Sequence, residues 1–251
     1  MKKTLSIFAA FLGVTTAAYA ADIPAKAAPA PAAFDWSGCY IGIEGGGGWG
    51  RSEQVAAAGA ASASTITGRF GIGGGLAGGT GGCNLEYNNF VFGLEDDFSW
   101  TDLHGSHNDL PPFAAAATSE TREKWLNTLR GRVGYAIDRV MLYGTVGAAL
   151  AGSQVLVSNP AVFGTLADHQ VHSGWVAGAG VEWAAWSAPW ADVTFKVEYL
   201  HADFGSTLYF NPSVVLPGAT IITRETHLSD DIVRAGVNLK FNPGGGTVAA
   251  K

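Results

Sequence analysis

Ten charged side chains occupy alternate positions within largely apolar segments, a spacing that favours ion pairing inside a β-structure. Successive side chains of a strand point to opposite sides, so each charge lies on the face away from its apolar neighbours. These five acids and five bases are Glu44, Glu95, Asp97, Glu182, Glu198, Arg130, Arg132, Lys196, Arg234 and Lys240. Because an unpaired buried charge is costly, the balance predicts an inward-facing network of ion pairs.

Histidines offer a second kind of chemistry. The pairs His104/His107 and His169/His172 have H-x-x-H spacing, and histidine both ligates transition metals and titrates near neutral pH. All six histidines fall in or beside predicted long connections. We favour solvated loop histidines over a metal-binding or proton-sensitive rim.

Two further motifs predict structure rather than catalysis. Gly73–Gly78 matches G-x-G-x-x-G, but no helix follows it, so the glycines indicate close neighbours within a strand. No serine-centred motif accompanies the histidines, which disfavours a lipid hydrolase. We therefore predict no enzyme activity, no catalytic residues, no metal site and no cofactor.

Cys39 and Cys83 are the only two cysteines. If the connection 52–66 joins antiparallel strands, the residue opposite Cys39 falls within a few positions of Cys83. A disulfide that closes this hairpin and a pair of buried free thiols are both compatible with the sequence.

These residues require strands to position them. Val233, Val237 and Phe241 share one face of the last apolar segment, and Arg234 and Lys240 share the other. The same alternation predicts eight strands, at 37–51, 67–86, 90–103, 122–136, 140–154, 170–184, 191–204 and 226–241. Tight turns are predicted at 88–89, 138–139 and 185–190, and long connections at 52–66, 104–121, 155–169 and 205–225.

Short turns at one end and long loops at the other are typical of a transmembrane β-barrel of the outer membrane. With an even number of strands, both ends of the barrel lie on the short-turn side, which we expect to be periplasmic. All eight tryptophans fall near strand ends, which predicts two aromatic belts at the membrane boundaries. Trp49, Trp100, Trp125 and Trp175 lie toward the long loops, and Trp36, Trp183, Trp186 and Trp190 toward the short turns.

One charge conflicts with the pattern. Strict alternation places Asp96 on the apolar, lipid-facing side of the third strand. Either it lies near the rim, where a charge costs little, or a bulge turns it away from lipid.

Composition agrees with an exported β-protein. Lys2 and Lys3, an apolar stretch and the small residues Ala18 and Ala20 predict a signal peptide over 1–20. An Ala/Pro-rich linker follows at 21–33, the barrel occupies 34–241 and a short flexible tail 242–251. The net charge of −6 argues against nucleic acid as a partner.

An eight-stranded barrel has an interior that side chains can just fill. We therefore favour an all-β, eight-stranded antiparallel barrel with a filled polar interior. The alternatives are a narrow porin for small solutes and a soluble periplasmic β-sandwich.

Six motifs in chain order resemble the alphaproteobacterial porin-family outer-membrane proteins, also called outer-membrane immunogenic proteins, which are related to the outer membrane protein A-type barrel. They are FDWSGCYIG from Phe34, NFVFGLEDDFSW from Asn89, WLNTLRGRVGY from Trp125, GAGVEW from Gly178, VEYL from Val197 and IVRAGVNLKF from Ile232.

The resemblance implies an eight-stranded surface barrel with roles in envelope integrity or host contact. Expected partners are outer-membrane lipid, lipopolysaccharide, the barrel-assembly machinery and surface or host ligands of the long loops. The family's terminal-strand aromatic corresponds to Phe241, but ten further residues follow it here.

Overall fold

The computed structural model describes residues 34–57, 63–113, 116–217 and 219–241. The predicted signal peptide, linker and tail lie outside these residues. No helix in the described ranges is long and apolar enough to cross a membrane.

Eight long antiparallel strands close into a barrel, as the alternation predicted. The strands are β1 (Gly38–Ala56), β2 (Thr65–Tyr87), β3 (Phe90–Asn108), β4 (Thr118–Ile137), β5 (Val140–Asn159), β6 (Gly164–Ser187), β7 (Ala191–Tyr209) and β10 (Arg224–Phe241). A small hairpin, β8 (Val214–Leu216) and β9 (Ala219–Ile221), lies between β7 and β10. Each long strand pairs with its chain neighbour, and β1 pairs with β10 to close the ring.

The two ends of the barrel differ, and we name them by their connections. At the turn end, two-residue turns join β2 to β3 and β4 to β5. Asn88 and Asp138 adopt positive φ there, a backbone conformation that asparagine and aspartate tolerate better than most residues. The connection 188–190 between β6 and β7 lies at the same end. The other end, which carries the remaining hairpin connections, is the loop end.

The strands extend farther at the loop end than the sequence predicted. The segment predicted as a long loop at 155–169 is mostly strand, and only 160–163 connects β5 to β6. The barrel strands contain 18 to 24 residues, whereas about 9–11 residues cross a bilayer. The predicted strand ends were wrong here because the apolar side of a strand switches from the outer face to the inner face along its length.

Strand β5 shows this reversal. Toward the turn end its outward residues are apolar, such as Leu142 and Val146, and its inward residues include Thr145. Toward the loop end the inward residues are Val155 and Val157, and the outward ones include Gln154 and Ser158. A barrel inside lipid must be apolar outside, whereas a barrel in water must be apolar inside.

Candidate functional site: the filled lumen

The inward charges converge in one network within the turn-end half of the lumen. Arg130 donates to Glu95 at 2.6 Å, to Asp97 at 2.8 Å and to Glu198 at 3.0 Å. Its neighbour on the same strand, Arg132, contacts Glu95 at 3.1 Å. Their side chains are almost wholly excluded from solvent, so these pairs are not screened by bulk water.

Two further cations complete the network. Arg234 grips Asp97 with both terminal nitrogens, at 2.8 and 2.9 Å, and also contacts Glu44 and Glu198. Lys196 lies 3.1 Å from both Glu44 and Glu95. Arg132 also contacts Glu182 at 2.5 Å, so nine of the ten residues named from the sequence lie in this network.

Neighbouring polar side chains donate hydrogen bonds to carboxylate oxygens of the network. The Tyr40 hydroxyl donates to Glu95 at 2.6 Å, and Thr194 donates to Glu182 at 2.5 Å. Thr128 donates to Asp97 at 2.7 Å. Buried charges stabilised by several hydrogen bonds form a rigid plug rather than a mobile lining.

Lys240, the tenth predicted residue, lies outside this network. It pairs with Asp192 at 3.2 Å near the turn end, and its ammonium also donates to the backbone carbonyl of Ser37 at 3.3 Å. The sequence analysis did not identify Asp192 because it is the second residue of β7, directly after the turn 188–190, where too few residues precede it to define the inward face.

The prediction that Trp36 belongs to an aromatic belt is wrong. Its side chain is buried beneath the turn end, where the indole donates to the Asp138 carbonyl at 3.0 Å. It packs edge-to-face against Phe34 at 4.9 Å. Residues 34–37 precede β1 and fold across the barrel opening, so Trp36 closes the lumen instead of facing lipid.

The other seven tryptophans lie on the outer surface. Those at 49, 100 and 175 form the loop-end belt with the half-buried Trp125, and those at 183, 186 and 190 form the turn-end belt. The exposed aromatics Tyr87, Phe90 and Tyr135 also lie at the turn end, beside the two-residue turns. Phe241 ends β10 on the outer face and pairs with Ala191.

Above the network, the lumen is apolar, which the sequence reading did not anticipate. This cluster packs thirteen buried side chains toward the loop end. Its larger members are Phe70, Ile72, Leu76, Leu103, Leu126, Leu200, Phe204, Leu228 and Ile232. They are inward residues at and beyond the level of the loop-end belt. Leu126 and Val176 directly follow Trp125 and Trp175 along their strands, whereas Phe70 and Phe204 lie farther toward the loop end.

Two carboxyls are buried within this apolar region, beyond Trp125 and Trp49 along the wall. Glu123 and Asp230 face each other, and no cation pairs with either among the residues described. Burial, followed by its neighbour's charge, raises the pKa of Glu123 well above its usual range. Burial also raises the pKa of Asp230 to about 6. The pair therefore retains a proton at pH values at which ordinary carboxyl groups are ionised.

A last polar layer and an apolar lid close the loop end. Arg224 donates to Gln54 and Ser119, both at 2.8 Å, and burial lowers the pKa of Arg224 to about 10. The lid packs Val155, Val157, Tyr209, Phe210 and Ile221 with the β8–β9 hairpin. The described lumen is therefore filled at four successive levels.

The histidine pairs do not form sites. Their spacing suits one face of a helix, but residues three apart on a strand point to opposite sides. His172 points inward and bonds to the Tyr209 hydroxyl at 2.9 Å, whereas His169 is exposed. Among the residues described, no three His, Cys, Asp or Glu side chains gather as a metal site.

The glycine motif lies within β2, as expected. A side chain at Gly74 would meet the Asp102 carbonyl oxygen at 2.0 Å, and one at Gly78 would meet that of Phe98 at 2.1 Å. These positions require glycine because the neighbouring backbone approaches closely.

Cys39 and Cys83 form a disulfide, which decides between the two alternatives left by the sequence. They are opposite each other in the β1–β2 register, with Cα atoms 3.9 Å apart. Asp96 does face outward, with its register to Leu129 intact and Asn127 donating to it at 3.1 Å. That hydrogen bond offsets part of the cost of the exposed charge.

Comparison with known proteins agrees with this architecture. The family model described as "Outer membrane protein beta-barrel domain" matches residues 6–241. The 31 kDa outer-membrane immunogenic protein of Brucella melitensis is 32% identical, over 90% of this chain and 94% of its own. The 25 kDa outer-membrane immunogenic protein of Brucella abortus is 29% identical, over 96% and 99%.

Solved structures resemble the fold more distantly. Neisserial surface protein A has a TM-score of 0.38 at 14% identity, covering 82% of this chain and 98% of its own. The outer membrane protease OmpT of Escherichia coli has a TM-score of 0.46 at 10% identity, covering 84% and 99%. Neither likeness is close enough to carry a functional argument. The closed barrel, its apolar outer band and the match across 6–241 show that the chain belongs to the outer membrane protein β-barrel family.

Proposed function

We propose that this protein is a plugged, non-enzymatic barrel that reinforces the outer membrane and displays its loop end at the cell surface. The observation that carries the proposal is the ionic network, in which four cations and five carboxylates fill the membrane-spanning part of the lumen. A signal peptide at 1–20 and insertion by the barrel-assembly machinery belong to the same proposal.

The network supports a structural role over a transport role. Breaking one buried pair leaves an uncompensated charge, at a cost of about 3–5 kcal/mol. Opening a path through the network would break several pairs together. The apolar cluster and the lid add two further barriers that a hydrated solute would have to cross.

A catalytic role has less support. Ser153 and His172 both bond to the Tyr209 hydroxyl, at 2.5 and 2.9 Å, so tyrosine separates the nucleophile from the base. All three side chains are buried, and Tyr209 is itself part of the lid. A hydrolase needs its nucleophile within reach of both base and substrate.

The envelope role is tested in a strain that lacks the gene. We expect faster uptake of an apolar fluorescent dye across its outer membrane, and restoration of the barrier by the wild-type gene. A matched gene carrying Arg234→Ala should restore less, because fewer barrels remain folded. Equal dye uptake with and without the wild-type gene would refute the role.

Surface display is tested with two matched hairpin turns. A site for a sequence-specific protease is inserted either at 160–163, at the loop end, or at 138–139, at the turn end. On intact cells only the first should be cut, and the second should be cut after lysis. The reverse pattern would show that the barrel is inserted with the opposite orientation.

A further inference from the structure

The β1–β2 hairpin lacks directly opposed side chains over most of its length. From Tyr40↔Gly82 to Arg51↔Gly71, each of the twelve successive residue pairs contains a glycine. Opposed side chains favour one register over another, because their contacts are lost when a strand slides. Along 40–51 and 71–82, which the structure describes throughout, no two side chains are opposed. A register displaced by two residues would keep every side chain on its own face, so the side chains specify this register weakly.

The pairings on either side of this hairpin are better specified. On one side, Ile41 of β1 lies opposite Leu239 of β10, and both are large apolar residues. On the other side, the two-residue turn 88–89 fixes the register of β2 against β3. The connection from β1 to β2 is longer, at 57–64. Neither a tight turn nor opposed side chains therefore set the register of the β1–β2 hairpin.

The disulfide lies at the turn end of this glycine-rich stretch. Cys39 and Cys83 are directly opposite each other, beside the pair Tyr40↔Gly82, so the bond joins the strands in the register that the rest of the hairpin follows. A displacement by two residues would carry their Cα atoms beyond the reach of a disulfide. Because the chain contains no other cysteine, no other intramolecular bond competes with this one.

A displaced register would disrupt the lumen network. The Tyr40 hydroxyl donates to Glu95 at 2.6 Å, and Glu44 lies 3.1 Å from Lys196. Sliding β1 by two residues would move both β1 side chains by about 6.6 Å along the barrel, which breaks these contacts. The contacts require β3 and β7, so they cannot guide a β1–β2 hairpin that has not yet joined the other strands.

We propose that the Cys39–Cys83 disulfide sets the register of the β1–β2 hairpin before the barrel closes, and that assembly therefore requires a thiol oxidant. The two thiols lose two protons and two electrons as the S–S bond forms, and the oxidant, a periplasmic protein disulfide, is reduced to a dithiol. Both cysteines are exposed on the outer wall, where lipid covers them after insertion, so the exchange precedes insertion. This role in assembly goes beyond the proposed envelope function and shares with it only the export of the chain.

The first test is refolding of the urea-unfolded protein into detergent micelles, with the folded fraction measured by heat-modifiable gel migration. One sample is oxidised with glutathione disulfide before refolding and another is kept reduced, and mass spectrometry verifies both states. We expect a several-fold lower folded fraction for the reduced protein and for Cys39→Ser/Cys83→Ser, the cysteine-free variant.

The time of reduction distinguishes assembly from stability. Reductant added after folding should leave the folded fraction unchanged, because the closed ring then holds the register. An equal loss on reduction before and after folding would show that the bond only stabilises the finished barrel, and would overturn the proposal. An equal folded fraction of oxidised and reduced protein would overturn it as well.

The register itself is measured by trapping new cysteine pairs in the cysteine-free variant. Ile41→Cys is combined with Gly81→Cys, which lies opposite it, or with Gly79→Cys, which lies opposite only after a displacement by two residues. Each protein is refolded with reductant and then oxidised with copper phenanthroline. We expect both pairs to form disulfides, and Ile41→Cys with the distant Gly75→Cys controls for cross-linking of unfolded chains. Bonding of the Gly81→Cys pair alone would show that the register is set without the native disulfide.

Added side chains provide a matched rescue. Gly47 and Gly75 lie opposite each other on the outer wall, where a Cβ would be in ordinary contact, at 3.6 and 3.8 Å. In the cysteine-free variant, Gly47→Val/Gly75→Val creates an opposed pair in the native register and should raise the folded fraction toward that of the oxidised wild type.

Gly45→Val/Gly75→Val is the control for this rescue. It adds the same two side chains to the same face, but they are opposed only when β1 is displaced by two residues, so it should not restore folding. Equal folded fractions for the two valine variants would contradict a role of register. These measurements use purified protein, so they depend neither on the dye-uptake result nor on the orientation of the barrel in the membrane.

Discussion

Arg130 and Arg234 each hold three carboxylates, which makes them the central residues of the lumen network. Lys196 also contacts three carboxylates, but its ammonium is a point charge, whereas the planar guanidinium groups present five donors in a fixed geometry. The two arginines thereby join β4 to β7 and β10 to β3, which are not neighbouring strands.

Replacing Arg130 with alanine should be strongly destabilising. Glu95, Asp97 and Glu198 would lose a shared partner while still buried, so the free energy of unfolding should fall by about 3–5 kcal/mol. Urea unfolding in lipid vesicles, followed by gel mobility, measures the change. The exposed Arg69→Ala serves as the control and should change little, and a loss below about 1 kcal/mol for Arg130→Ala would contradict the plug.

The Glu123–Asp230 pair makes stability depend on pH. Burial raises both pKa values above those of the unfolded chain, that of Asp230 to about 6. Stability is therefore fully present below the ordinary carboxyl range and is lost as the pH rises through 6. Asp231 and His201 also act on the pKa of Asp230, in opposite directions, and Thr101 lowers that of Glu123.

Glu123→Gln tests this linkage because it removes one charge and retains the shape. Compared with wild type, the variant should lose less stability between pH 4.5 and 7.5 and should unfold at higher urea concentration at pH 7.5. Parallel pH dependence in the two proteins would show that the pair does not titrate as described.

At the scale of the strand, alternation predicted most of the barrel but missed where its polarity reverses. The alternation of β10 is visible in the sequence because the lipid-facing side must be apolar and the lumen side can be polar. Its outward residues are Val233, Val237 and Phe241, and its inward residues include Arg234 and Lys240. The extensions of β5 and β6 were read as loop because small and polar residues and Pro160 interrupt the segment 155–169. The alternation of apolar and polar residues does not show which face of a strand contacts water.

The side-chain partners were less predictable than the faces. The balance of ten charges suggested pairing, but which cation meets which carboxylate depends on barrel shear, which links strands far apart in sequence. Lys240 and Asp192, by contrast, lie directly opposite each other in the β10–β7 register, and this pair was missed because Asp192 lies just after the segment read as a turn. Trp36 was misassigned because no strand pattern covers 34–37, where the chain turns across the barrel opening.

The segment 34–37 is expected to act as a structural cap of the turn end. Trp36→Ala should lower the free energy of unfolding by about 3–5 kcal/mol, because it empties a buried site and leaves the Asp138 carbonyl without its indole donor. Trp190→Ala removes an exposed ring at the same end and should cost much less. If both substitutions cost the same in vesicle unfolding, the cap has no special role.

At the scale of the whole molecule, the lumen is a stack of layers with different chemistry. From the turn end these are the aromatic cap, the ionic network, the apolar cluster with its acid pair, and the polar layer beneath the loop-end lid. The ionic layer lies within the lipid-facing band, and the apolar cluster lies where the outer wall becomes polar. The fold thus keeps a solid interior on both sides of the membrane boundary.

The most direct test of this account is planar-bilayer recording of refolded wild-type protein, with a sixteen-stranded porin as the positive control. Filled layers along the whole described lumen predict no steady conductance, whereas a barrel of that larger size leaves an aqueous channel. Steady single-channel conductance in wild type that is altered by substituting Arg130 or Arg234 would contradict the plug and establish the lumen as a pore.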